Sequence, residues 1–366
     1  MKNILITLVG SLLLLQSCSN HQEKEEQTVL PKGSVTGTLP KANGKPGQVL
    51  VSVENDVWES AGIKPIFDTI FSTPAKGPYI YQESILDFIQ EDPSVINANR
   101  KKHRNFIRII LEKESNLSAT EVQIKKNNFA KGQLYIQIRD SEINRLVNFL
   151  NKELLTYVLL IDEEETDRLV NKYNKNPHLL FKETAEKRFG ISISIPQSAK
   201  FKADLNTVIY ALDKSADEVT KDNPKTGAKG GTYWSQRGIL VWSTPYEGEQ
   251  SMNGETIMTV RDSVLKEYVK GTEKGSYMTT EYFPTHKPVL QHINVDGNKA
   301  VKIEGLWKQA GNPAAIGGGP FVQYSIKHPT RQTIVHIQAH IFAPRFDKRE
   351  YIRQIRAILK TVKIFD

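Results

Sequence analysis

"TIVHIQAHIF", residues 333–342, is where two folds part. On a helix, His336 and His340 would stand one turn apart and form half of a metal site. Their neighbours Ile334, Val335, Ile337 and Ile341 are β-branched, which is strand composition. In a strand the two imidazoles share a face but lie ~13 Å apart, too far for one zinc ion. A ligand role for either would need partners from neighbouring strands, with His328 and His292 as the candidates. The strand reading is adopted, and no metal or other cofactor is expected.

Working outward, the chain from Gly190 gives "ISISIP", "TVIYALD", "GILVWST", a helix "ETIMTVRDSVLKEYV", then "VLQHI", "KAVKIEGLW", "PFVQYSI", the opening stretch, and a last helix "DKREYIRQIRAILKTV". Turns such as "VDGNK" and "HPTRQ" between successive strands predict an antiparallel sheet with helices packed on it. Upstream, "QVLVSV", "NFIRIIL" and "GQLYIQI" read as strands of a small α/β layer. "NDVWESAGIKPIFDTIF" reads as a helix kinked or divided at Pro65. Ile143, Val147, Leu150, Leu154, Val158 and Ile161 recur at steps of three and four and predict a long helix. Another helix follows Asn176-Pro177 and ends near Gly190.

The fold class is therefore α+β in two α/β domains, because single cores stop growing near ~250–300 residues and this chain has 366. The expected division is signal peptide 1–17, tether 18–46, an N-terminal α/β domain with long helices 47–189, and a C-terminal antiparallel domain 190–366. With 39% apolar and 25% charged residues the chain is neither disordered nor fibrous. Its formal charge of +8 is spread along the sequence, so nucleic acid is not an expected partner.

Lys2 and the apolar run Ile4 to Leu15 have the form of a secretory signal, too short for a membrane span. Leu15-Gln16-Ser17-Cys18 resembles a bacterial lipobox, and Cys18 is the only cysteine in the chain. That resemblance implies acylation at Cys18, cleavage before it, and a membrane as partner; two or three acyl chains hold stably where one does not. The polar, Gly- and Pro-containing stretch after it reads as a tether, with a span on the order of 30 Å. Ser19, which is not the aspartate that retains such proteins in the inner membrane, points by analogy to the outer membrane of a bacterial envelope.

The element order of the C-terminal half, opening on the Gly190, Ser192, Pro196 spacing, is similar to the PsbP-like fold. Across most of the chain, "HRNFI" (103–107), "FGISISIP" (189–196), "RDSVLKEYVKG" (261–271), "SYMTT" (276–280), "EGLW" (304–307), "GGPFVQY" (318–324) and "REYIRQIRAIL" (349–359) together resemble an uncharacterised domain-of-unknown-function family of Bacteroidota envelope lipoproteins. The resemblance implies the localisation and assigns no chemistry.

Other motifs have plain structural readings. "GGGP" (317–320) lacks the lysine, hydroxyl and helix of a phosphate loop and reads as a flexible connection, and "TGAKGGTYW" (226–234) fails the same test. Acidic "DEEETD" (162–167) lacks the alternating oxygens of a calcium loop and reads as a solvated helix turn. No nucleophile elbow and no zinc-protease helix occurs. On the last helix, Ile352, Ile355, Leu359 and Val362 form one stripe, and Arg349, Arg353, Arg356, Lys360 and Lys363 form an adjoining basic one. The basic stripe is the candidate surface for an anionic lipid, an acidic glycan or an envelope protein; "NRKKHRN" (99–105) is a second basic cluster.

The functional expectation is a lipid-anchored envelope protein, leaning away from an enzyme and toward a binding or assembly module. The alternative is an envelope hydrolase or transferase acting on glycan or lipid through carboxylates that the fold brings together.

Overall fold

A computed structural model describes residues 38–365, apart from positions 61, 80, 221 and 225. The expected signal peptide, Cys18 and most of the tether lie outside the described residues. The last part of the expected tether lies inside them and is not free chain. Ala42 N donates to Lys131 O and Lys131 N to Pro40 O, while Asn43 exchanges bonds with Lys102 O and Arg104 N. The extended stretch thus satisfies backbone groups of the folded body, which sequence polarity does not reveal.

The first sheet is built from β1 (Gln48–Ser52), β2 (Asp87–Glu91), β3 (Asn105–Leu111), β4 (Glu121–Lys126) and β5 (Leu134–Asp140), in the order β2-β1-β3-β5-β4. All pairs are parallel except β4 with β5. Alternation sorts the side chains: Val49, Val51, Ile107, Ile109, Ile136 and Ile138 face the helices, while Leu50, Phe106 and Tyr135 face the other way. The helices are α1 (Asn55–Ser60), α2 (Ile63–Phe71) and the 33-residue α3 (Ile143–Lys175). The break between the first two falls at Gly62, with φ +74, and not at Pro65. Pro65 sits in the first turn of α2, where its missing N–H has no intrahelical acceptor to lose.

The second sheet is formed by β7 (Lys200–Leu205), β8 (Val208–Val219), β9 (Gly231–Pro245), β10 (Tyr277–Thr280), β11 (Val289–Val295), β12 (Asn298–Ala310), β13 (Gly318–Lys327) and β14 (Thr333–Phe342). It is antiparallel throughout, in the order β10-β12-β13-β14-β9-β8-β7 with β11 also on β12. The opening stretch is the strand β14, in mid-sheet. One face is covered by α4 (Leu179–Phe189) and α6 (Arg349–Lys360), the other by α5 (Gly254–Tyr268). A two-stranded ribbon of β6 (Ile191–Ser192) and β15 (Lys363–Ile364) closes the chain end onto Gly190.

The core changes within α3 and not at Gly190. Leu146, Leu150, Leu154, Val158 and Ile161 pack under the first sheet, whereas Leu169, Val170 and Tyr173 pack with the second, as do Phe181 and Phe189 of α4. Leu39–Asp366 form one compact unit.

"GGGP" is not a flexible connection. Gly318 to Pro320 open β13, paired with Lys308 to Leu306. The Trp307 indole N–H donates to Ile341 O at 2.9 Å across Gly319. A Cβ on Gly319 would stand 2.1 Å from that carbonyl oxygen. Gly319→Ala is therefore expected to lower stability by about 1–3 kcal/mol, read from urea unfolding midpoints; an unchanged midpoint would show that Trp307 is not seated there.

Candidate functional site

The expected apolar stripe is buried: Ile352, Ile355 and Leu359 fully and Val362, just past the end of α6, nearly so, with Ile355, Leu359 and Val362 in the core of the second sheet together with Ile358. Each such side chain contributes about 1.5–3 kcal/mol by leaving water. Its basic edge has a different role from the one read in the sequence. Arg353 is 5% exposed and donates to Asp162 Oδ1 of α3 at 2.5 Å and to Glu350. Arg349 pairs with Asp87 of β2 at 2.7 Å, Lys360 with Glu163 and Asp167 of α3, Arg356 with Glu304 of β12, and Lys363 with Asp296. The acidic partners of these five cations belong to the same chain. Four of these five cations reach across to the first half: Arg349, Arg353 and Lys360 through carboxylates, and Arg356 through Lys76 O at 2.7 Å.

The N-terminus of α6 is capped by that half too. Glu83 accepts from Lys348 N at 2.6 Å and from Arg349 N at 2.8 Å, filling orphan donors of the first turn with a carboxylate where the helix dipole favours one. Burial raises the Glu83 carboxyl pKa, and these two backbone donors oppose that rise. Burial opposes charge on Arg353 as well, but Glu350 and Asp162 outweigh it and raise its pKa.

"DEEETD" is therefore not a solvated turn. Asp162, Glu163 and Asp167 hold α6, while Glu165, 1% exposed, accepts from Arg104, Asn105 and Arg168. The basic cluster at 99–105 is also taken up internally, through Arg100 with Glu91 and Arg104 with Glu165. The signal missed in the sequence was complementarity: an acidic helix edge and a basic helix edge of the same period.

Beside this seam lies a cleft of about 540 Å³ with Leu155, Leu159 and Tyr79 on one wall and Tyr324, Lys302 and Glu304 on the other. Burial pushes both tyrosine hydroxyls up to about 12, so they stay protonated donors. Its carboxylates are each held by a cation: Asp162 by Arg353, Glu163 by Lys360, Glu304 by Lys302 and Arg356. A glycosidase-type pair needs one carboxyl able to give a proton and another free to attack or activate water, and ion-paired carboxylates are poorly suited to either task.

The strand histidines are core residues. His336 stacks on Trp242 at 5.0 Å, and its two ring nitrogens lie 2.9 Å from Thr244 Oγ1 and Ser325 Oγ. His340 bonds Gln338 through Nδ1. His292 stands in the same cross-strand row three strands away, ~14 Å, and His328 lies against Gly190 O. Neither candidate partner, His292 or His328, is thus brought beside His336. No group of three or more metal-ligating side chains comes together among the described residues, and none of their helices is long and apolar enough to cross a membrane.

These features define a mixed α+β protein whose two sheets share one long helix and are joined by ion pairs. Residues 179–361, half of the chain, match the domain of unknown function DUF4837, and the chain belongs to that family. Residues 42–174 match a second domain of unknown function, DUF8532. No curated protein matches it. Among solved structures, the Ran-binding protein Mog1p of Saccharomyces cerevisiae is 12% identical over 48% of this chain and 91% of its own, with a TM-score of 0.29. A point mutant of Mog1 is 11% identical over 48% and 92%, with the same score.

Two outcomes are expected. Arg353→Met should cost on the order of 3 kcal/mol, toward the lower end for a broken buried pair because Asp162 is 38% exposed; urea unfolding reads this, and a loss no larger than that of an exposed arginine would contradict it. Burial pushes His336 and His340 down to about 3, Arg261 adding to the effect at His340, so both are neutral in the fold. The unfolded chain binds their protons near ~6.5, so stability is full above that pH and falls as pH drops toward 3, by about 1.4 kcal/mol per unit per histidine. His340→Gln should flatten the dependence of the unfolding midpoint between ~pH 7 and ~pH 5.

Proposed function

We propose that the chain is a bacterial envelope protein held to a membrane by acylation of Cys18, at the outer membrane, and acting as a non-enzymatic binding or assembly module. Support for the anchor comes from the lipobox-like residues ahead of the chain's only cysteine. The observation that carries the module reading is the pairing of each carboxylate in the seam cleft with a cation. That arrangement holds a shape and offers surfaces; it does not set one carboxyl apart as an acid and another as a base. An origin among Bacteroidota and a PsbP-like C-terminal half belong to the same proposal, on the sequence stretches and element order given above.

The test has two readouts. Cys18→Ala is expected to abolish acyl labelling and to move the chain from the membrane to the soluble fraction; equal membrane retention would overturn the anchor. The acyl-free chain, immobilised and exposed to envelope extract, is expected to retain a stoichiometric partner without altering glycan or lipid. Turnover of either by the same preparation would overturn the module reading.

A further inference from the structure

Beneath α5 the sheet departs from its own pattern. Gln323 and Ser325 of β13 and His336, Gln338 and His340 of β14 share the face turned to α5 with Trp242 of β9, and none is more than 4% exposed. Two central strands thus present polar groups where a covered sheet face is ordinarily apolar.

Arg261 of α5 is fully buried in this layer, its guanidinium carbon 3.6 Å from the centre of the Phe321 ring. Its Nη1 donates to Asp262 Oδ1 at 3.0 Å and to Thr280 Oγ1. Its Nε and Nη2 have no hydrogen-bond partner among the described residues; nor have Trp242 Nε1, Gln323 Oε1 and Gln338 Oε1. Gln323 and Gln338 face each other in register on adjacent strands. An unmet buried polar atom destabilises the fold, so the neighbouring unmet groups of Arg261, Gln323 and Gln338 call for a partner.

The unmet set has a definite chemistry. Nε and Nη2 form one edge of the guanidinium, two parallel N–H groups at the spacing of a carboxylate's oxygens. The two carboxamide oxygens on β13 and β14 need donors instead. We propose that the layer between α5 and β13–β14 binds a small amino or hydroxy acid, its carboxylate on the Nε–Nη2 edge of Arg261 and its amine or hydroxyl toward Gln323 and Gln338. A dianion such as phosphate fits less well beside Asp262, which already shares the arginine.

A cavity of about 480 Å³ opens beside the first turns of α5, against Met258, Tyr282 and Pro288. It is one hydrogen-bonded step from the site. Tyr282 OH, on the cavity wall, donates to Asp262 Oδ2 at 3.0 Å, and the other oxygen of that carboxylate holds Arg261. Pro288 packs where a Cβ on Gly305 would meet both it and Phe321. Movement of the 282–288 segment away from α5 would open the layer to that cavity.

The site deepens the reading of the chain as a binding module and is independent of the anchor at Cys18. It is tested on the full chain labelled with 15N-tryptophan, the Trp242 indole resonance being assigned with Trp242→Phe and titrated with L-alanine, lactate and acetate. A saturable shift is expected with alanine or lactate, weaker with acetate, and roughly tenfold weaker in Arg261→Lys, which keeps the charge but loses the fork. Should Arg261→Lys fail to fold, Gln338→Leu is expected to weaken alanine toward the acetate value. No saturable shift with any of the three, or a high-resolution structure in which ordered waters alone meet Nε and Nη2 in the presence of alanine, would overturn the site. A silent titration beside a retained envelope partner would remove this site and leave the module reading standing.

Discussion

Arg353 is the residue through which the two sheets meet. It leaves water almost completely, and the cost of that burial is met by Asp162 from one half, Glu350 from its own helix, and the Ile85 carbonyl oxygen at 3.4 Å. Around it, α6 is fixed at both ends: Glu83 caps its first N–H groups and Glu163 holds Lys360 at its last turn. The apolar face of the same helix lies in the core of the second sheet. One short helix is thus inserted into one core by burial and tied to the other by charge. The energetic share of the two is unequal. Several fully buried aliphatics supply the stability, whereas partly buried ion pairs return little beyond their desolvation cost and instead fix where α6 sits against α3.

The long helix makes this geometry possible. α3 runs from the first core into the second, and its acidic run falls at the transition, where an apolar stripe would have nothing to pack on. That is also where α6 passes. The seam cleft lies beside this crossing and inherits its charges already paired, which is why it suits recognition better than proton transfer.

Much of the architecture is written locally in the sequence. The β-branched composition of "TIVHIQAHIF" and the turns between its neighbours pointed to the large antiparallel sheet, and the spacing from Ile143 to Ile161 to the long helix. What was not legible depends on distant partners. Carboxylates at 162–167 and arginines at 349–353 look solvated when each segment is read alone, and no local rule pairs residues so far apart. Gly319 reads as a loop glycine until the Trp307 indole crosses it. The short strands β2, β4 and β7 carry polar residues at half-exposed edges and give little periodic signal. The buried polar layer under α5 was visible only as two histidines, because Gln323, Gln338 and Arg261 show their relation through register and not through spacing.

The central claim is that the seam makes the two sheets one cooperative structure. Native-state hydrogen exchange measures it most directly, by comparing Ile107 and Ile136 in the first sheet with Val241 and Ile337 in the second. The account predicts that these four amides exchange through one common opening, with the same free energy and the same denaturant dependence. Exchange of Ile107 and Ile136 through a separate opening of lower free energy, with Val241 and Ile337 still protected, would contradict it.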